Sequence, residues 1–192
     1  MNDAALIQIV DRAMAEAQRK SGAWIACRPG CTPCCIGAFP ISRLDAWRLR
    51  RGLEILEESS PERAACVRDR ALQWVARQAP YFPGDTVTGA LGEDEASESR
   101  FADFAEDEPC PALDPETGAC DLYSWRPLTC RTFGPAVRLG AGAVGACELC
   151  YQGATDEEIA ACEVTLDVDA LEAELAPEMS GRETVVAFAL TR

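Results

Sequence analysis

A chain of 192 residues is long enough for one domain and short for two. Its 32 acidic and 18 basic residues leave a net charge of −14, which argues against a nucleic-acid footprint or an anionic membrane surface. It has no histidine and eleven cysteines. Ser–His and Cys–His dyads and mixed Cys/His zinc sites are therefore excluded, and thiol chemistry comes forward.

In chain order, the spacing of Leu6, Ile9, Val10, Ala13, Met14 and Ala17 predicts an amphipathic helix over 3–20. This start lacks a basic region, an uninterrupted apolar core and a small-residue cleavage site, so it does not read as a secretory signal. Ser21-Gly22 ends the helix. A Cys-rich loop follows, kept irregular by Pro29, Gly30 and Pro33. Ser42 opens a second helix, with Asp45 in the box position and Leu44, Trp47, Leu49, Leu53 and Leu56 available for burial. Ser60 caps a third, with Pro61 at its first position, running to about Gln78. Ala65, Leu72 and Val75 suit its inner face.

Residues 83–108 read as a solvated acidic loop or insertion, with nine acids against Arg100. The ligand-rich stretch 109–150 has many turn residues and no long periodic run. Thr155 to Glu158 is a capping box before a short helix. Another short helix covers 168–175. The apolar run 184–191 fits a strand or a terminal helical segment equally well. The expected fold is mainly α: one small helical domain over 1–192 with an irregular Cys-rich metal-binding centre at about 24–153.

The cysteines carry the chemistry. Cys27, Cys31, Cys34 and Cys35 crowd into one loop, and Cys110, Cys120, Cys130, Cys147 and Cys150 follow. Thiolates are soft ligands that select Zn, Cu(I) or iron–sulfur centres. Nine cysteines in three groups fit two four-thiolate sites with one left over, or one cluster with extra thiols. Neighbouring residues point in different directions, so the Cys34-Cys35 pair suits two nearby centres better than one finger. Cys66 and Cys162, alone on predicted helices, read as buried apolar cysteines. Excess thiolate charge needs offsetting, and Arg28, Arg126 and Arg131 lie near ligand candidates in sequence. Asp114 and Asp45 read as cap or turn residues. Asp121 and Tyr123 lie just after Cys120 and are proton-transfer candidates, but packing and turn capping account for them better.

CRPGCTPCC with Ile41-Ser42-x-x-Asp45, then CPALD at 110–114, then GACDLYSWRPLTCRTFG at 118–134, resembles the bacterial YkgJ-type cysteine-cluster family (CxxCxxCC), described as zinc- or iron-chelating domains. The resemblance covers roughly 24–153. It implies that eight cysteines hold metal. Seven positions match, at Cys27, Cys31, Cys34, Cys35, Cys110, Cys120 and Cys130, and the eighth falls on Cys147 or Cys150. Arg126 matches the family's Arg-Pro. The first gap here is three residues rather than two. Flagellin lysine methylases carry a related cysteine set. The Cys27, Cys31, Cys34 spacing also matches the cluster ligands of radical-SAM enzymes, but a preceding helix and no strand–helix alternation argue against that barrel.

The expected function is a cytoplasmic metal-binding protein holding an iron–sulfur centre, or alternatively zinc, in a redox or metal-dependent role. A cluster-dependent enzyme and a structural zinc interaction module are the alternatives. Arg126 and Arg131 would support the centre, and the partner would be a protein or small molecule rather than nucleic acid or membrane.

Overall fold

The computed structural model describes residues 3–28, 30–140, 142 and 144–192. Pro29, expected to keep the Cys-rich loop irregular, lies outside them. The chain is mainly α. In order, it forms α1 (Asp3–Ser21), α2 (Arg43–Ser59), α3 (Pro61–Gln78), the strands β1 (Gly84–Asp85) and β2 (Ala90–Leu91), α4 (Glu95–Ala102), α5 (Leu128–Thr132), β3 (Val137–Leu139), β4 (Val144–Gly145), α6 (Asp156–Cys162), β5 (Val164–Leu166), α7 (Val168–Leu175) and α8 (Val186–Leu190). Among the described residues, no helix is long and apolar enough to cross a membrane. The chain divides into two compact units, one of Met1–Arg28 with Leu128–Met179, the other of Pro29–Pro127 with Ser180–Arg192.

In the first unit, α1 buries Leu6, Val10, Met14 and Ala17, the stripe its spacing predicts. This face packs on α5, α6, α7 and β5. The three-stranded sheet runs β4-β3-β5, antiparallel on one side and parallel on the other. Thr155 caps α6 in a reciprocal box with Glu158, as the sequence predicts.

The core of the second unit is α2, α3 and α8. Ser42 caps α2 by accepting from the Asp45 N–H. The Asp45 carboxylate is not at the surface. It is buried and bonded to the equally buried Arg48 guanidinium at 2.5 Å. On α3 the inner face is Ala64, Val67, Ala71 and Trp74, with the expected Val75 half-buried against the same core, while the expected Ala65 and Leu72 face outward. Leu72 is 56% exposed and Cys66, expected to be buried, is exposed. Trp74 decides this register: as the largest apolar surface on the helix it claims the inward position and carries Ala71 and Val67 with it.

Nor are residues 83–108 a solvated loop throughout. They form the β1–β2 hairpin and α4, held by an aromatic cluster in which Phe104 meets Trp74 and Phe82 edge-on at 5.8 and 5.7 Å. The acids stay on the outside, and a few well-spaced aromatics are enough to order the segment. The terminal apolar run is the helix α8, wholly buried from Val186 to Leu190. It joins the aromatic cluster through Phe188 to the aliphatic core through Leu190.

Candidate metal centre

The thiol-bearing loops of the second unit are tied by backbone bonds. A tight turn over Pro33–Cys35 closes with the Cys35 N–H on the Thr32 carbonyl at 2.8 Å. The chain then leaves in extended form, bridging Ile36 to Pro109, and the Cys110 N–H donates to the Cys35 carbonyl at 2.7 Å. Residues 112–121 fold back as a narrow hairpin. Leu113 bridges Cys120, and the Asp121 N–H returns to the Ala112 carbonyl at 2.8 Å. Asp114 builds its turn, its carboxylate accepting from the Glu116 N–H and the Thr117 hydroxyl, so the turn reading of that residue holds. Gly118 completes it at φ 67°, a backbone state that costs glycine little. The loop carrying Cys31 lies against this glycine through Thr32 and Gly30.

This pairing sets the loops carrying Cys34, Cys35, Cys110 and Cys120 beside one another, near enough for their charges to act on each other. The Cys35 S–H hydrogen-bonds the Cys34 sulfur and holds the Cys34 thiol down at about 6. Cys35 is pushed far up by that same bond, then by burial and by the charges of Cys34, Cys110 and Cys120. Burial pushes Cys110 up to about 12 and raises Cys120, whose charged form Asp121 opposes and Arg126 favours. Cys34 and Cys35 thus shift each other's protonation strongly, and the adjacent pair suits a single centre as well as two.

Of the five remaining candidates, Cys31 belongs to the second unit, and Cys27, Cys130, Cys147 and Cys150 belong to the first. Cys147 donates its N–H to the Gly134 carbonyl at 3.0 Å, and Cys150 donates to the Cys147 carbonyl at 2.9 Å. The Cys150 sulfur accepts from the Ala26 N–H at 3.5 Å. The Cys27 sulfur stands 2.8 Å from where a Cβ on Gly134 would be. Cys27 and Cys147 thus both lie against Gly134, whose φ of 117° favours glycine. Cys130 sits on α5, half-buried. Cys162 is buried as expected and donates to the Lys20 carbonyl.

The two arginines expected to support a centre have different surroundings. Arg126 stacks over the Tyr123 ring, 3.9 Å from its centroid, and donates to the Tyr123 carbonyl. Arg131 is buried and bonded to Asp11 at 2.9 Å. Asp121, a proton-transfer candidate in the sequence, is buried and bonded to both Arg63 and Arg70. Sequence reasoning missed these two α3 arginines. Their seven-residue spacing, two helical turns apart, marks a shared face and was the available signal.

The donor set fits a soft cation. The four thiols have no competing imidazole, and a bound cation would offset the burial and the neighbouring charges that raise Cys35, Cys110 and Cys120. Among the described residues, no three His, Cys, Asp or Glu side chains stand close enough together to hold a metal ion as they are placed. The pocket at Cys110, lined also by Phe39, Trp74 and Pro111, holds about 20 Å³, room for one water. A larger cavity of about 280 Å³, bounded by Pro40, Leu91, Glu98, Phe101 and Arg182, is lined by no cysteine.

No curated protein and no solved structure matches the chain. One family model does, over residues 26–163, and its description reads "Putative zinc- or iron-chelating domain". That span covers most of the sequence and all nine grouped cysteines, so the chain belongs to the CxxCxxCC family of zinc- or iron-chelating domains.

Proposed function

We propose that Cys34, Cys35, Cys110 and Cys120 hold a metal centre within one unit of the fold, and that the centre is an iron–sulfur cluster serving electron transfer or delivery to a partner. The observation that carries this reading is the Cys110 N–H bond to the Cys35 carbonyl, which sets two thiol loops side by side. All-thiolate coordination without histidine is the donor set of iron–sulfur clusters. Zinc takes the same donors in structural sites, and the contact between Cys34 and Cys35 is compatible with either.

When bound, the metal supplies positive charge that holds the thiols deprotonated, plus redox capacity if it is iron. The chain's own residues do the rest. The hairpin fixes Cys110 against Cys120, the Pro33–Cys35 turn presents the adjacent pair, and Arg126 places positive charge near Cys120.

The test is anaerobic purification followed by metal and acid-labile sulfide analysis and a visible spectrum. Iron with sulfide and charge-transfer absorption supports the reading. A colourless protein with stoichiometric zinc replaces it with a structural zinc domain, and a protein with neither metal refutes it.

A further inference from the structure

Two arginines on α3 grip both arms of the thiol hairpin. Arg63 and Arg70 lie two turns apart on one face. Arg70 donates from Nε to the Pro111 carbonyl at 2.8 Å and from Nη2 to Asp121 Oδ2 at 2.6 Å. Arg63 donates from Nε and Nη2 to Asp121 Oδ1 at 3.1 and 2.6 Å. Pro111 follows Cys110 and Asp121 follows Cys120 in the chain. One planar guanidinium therefore spans the residues next to two candidate ligands, one on each arm.

We propose that Arg70 is a positioning residue for a metal held by Cys110 and Cys120, with Arg63 and Asp121 completing the clamp that sets the separation of the two thiols. This inference rests on the metal-holding reading above. The physical case has two parts. A guanidinium presents a rigid fork that can serve two acceptors at fixed geometry, which a lysine ammonium cannot. The side chain of Asp121 is only 5% exposed, so its bonds are charge-assisted and little screened. The clamp also places two positive charges against one carboxylate, a surplus that offsets excess thiolate charge nearby. Ligand orientation is set in this way by groups that never touch the metal.

The test uses the full chain with zinc(II) and cobalt(II) as probes. Zinc affinity is measured by chelator competition, and the thiolate-to-cobalt absorption reports ligand geometry. Arg70→Gln should weaken zinc binding by about 10-fold or more and reduce or shift the cobalt bands. Arg70→Lys should restore charge without restoring the spectrum. Arg63→Gln, at a side chain 58% exposed, should fold normally and show a smaller loss in the same direction. Arg68→Gln is the control, because Arg68, also on α3, pairs at the surface with Glu57 of α2. If Arg70→Gln fails to fold, Arg63→Gln and Arg70→Lys give the answer. Wild-type affinity and an unchanged cobalt spectrum in the folded variants overturn the inference. Wild type that binds neither ion overturns the metal-holding reading instead.

Discussion

The Cys35 carbonyl accepts the Cys110 N–H at 2.7 Å, joining loops 75 positions apart. A bridge from Ile36 to Pro109 lies beside it. The thiols are thus held by backbone pairing, which survives replacement of any one cysteine side chain. Loss of a thiol should therefore remove a ligand without dispersing the loops.

Cys35→Ser, Cys110→Ser and Cys120→Ser should each lower metal content on purification under nitrogen. Each should also lower the melting temperature of the metal-loaded protein, because metal binding that requires the native fold stabilises that fold. Cys66→Ser should change neither, since that thiol is exposed on α3. Metal analysis beside a thermal melt decides it. A full complement in all three variants removes these thiols from the ligand set.

Gly52 lies on α2 beneath Trp125. A Cβ there would stand 2.4 Å from the indole Cγ. Gly52→Ala gains roughly 1 kcal/mol of helix propensity. The overlap with a ring atom outweighs that gain, and overpacking typically costs about 1–3 kcal/mol. We expect net destabilisation by denaturant unfolding and a changed indole environment in tryptophan fluorescence. A more stable Gly52→Ala protein would mean that Trp125 moves aside freely.

Much of this molecule was legible in its sequence. The mainly α class, the Ser42 and Thr155 caps, the α1 stripe and the cysteine family all follow from local pattern. What stayed hidden depends on contacts distant in sequence. The α3 register follows from Trp74 meeting Phe104, which lies 30 positions away. Asp45 and Arg48 lie only three residues apart, but what buries the pair is packing from elsewhere in the chain, which local pattern does not announce. The acid-rich segment reads as solvated by composition, yet Phe82, Leu91 and Phe104 pin it. Among the cysteines, types and spacing were readable, but the assignment of Cys110 and Cys120 to one unit with Cys34 and Cys35 needed the backbone pairing.

The pair Arg138–Glu163 gives a pH prediction. Hydrogen bonds from Arg138, bidentate at 2.7 and 2.9 Å, hold the Glu163 carboxyl below its ordinary value. A carboxyl lowered in the folded state contributes stability that is present above its unfolded pKa. That contribution is lost as pH falls through the lower folded value. Wild type should therefore exceed Glu163→Gln in stability at neutral pH, with the gap closing below about pH 4. Melts across that range are the check. A gap that widens in acid contradicts the sign.

Tyr151 follows Cys150 in a left-handed backbone conformation, φ 58°, unusual for an aromatic residue. Three bonds over-determine it. Its N–H donates to the Trp24 carbonyl at 3.0 Å, and its hydroxyl accepts from the buried Ala136 N–H at 2.8 Å. The Ser21 hydroxyl is already committed to the Ala17 carbonyl, so the Tyr151 hydroxyl donates to Ser21 Oγ at 2.5 Å. Tyr151→Phe keeps the ring and removes one oxygen, leaving the buried Ala136 N–H without that acceptor. That costs about 1–3 kcal/mol. The freed backbone should also let the Cys147–Cys150 turn open, seen as faster amide exchange at Cys150 and Tyr151. Tyr81→Phe, at a side chain 71% exposed, should leave stability within roughly 0.5 kcal/mol of wild type. Equal melting curves for the two variants would show that the Tyr151 hydroxyl does not hold this turn.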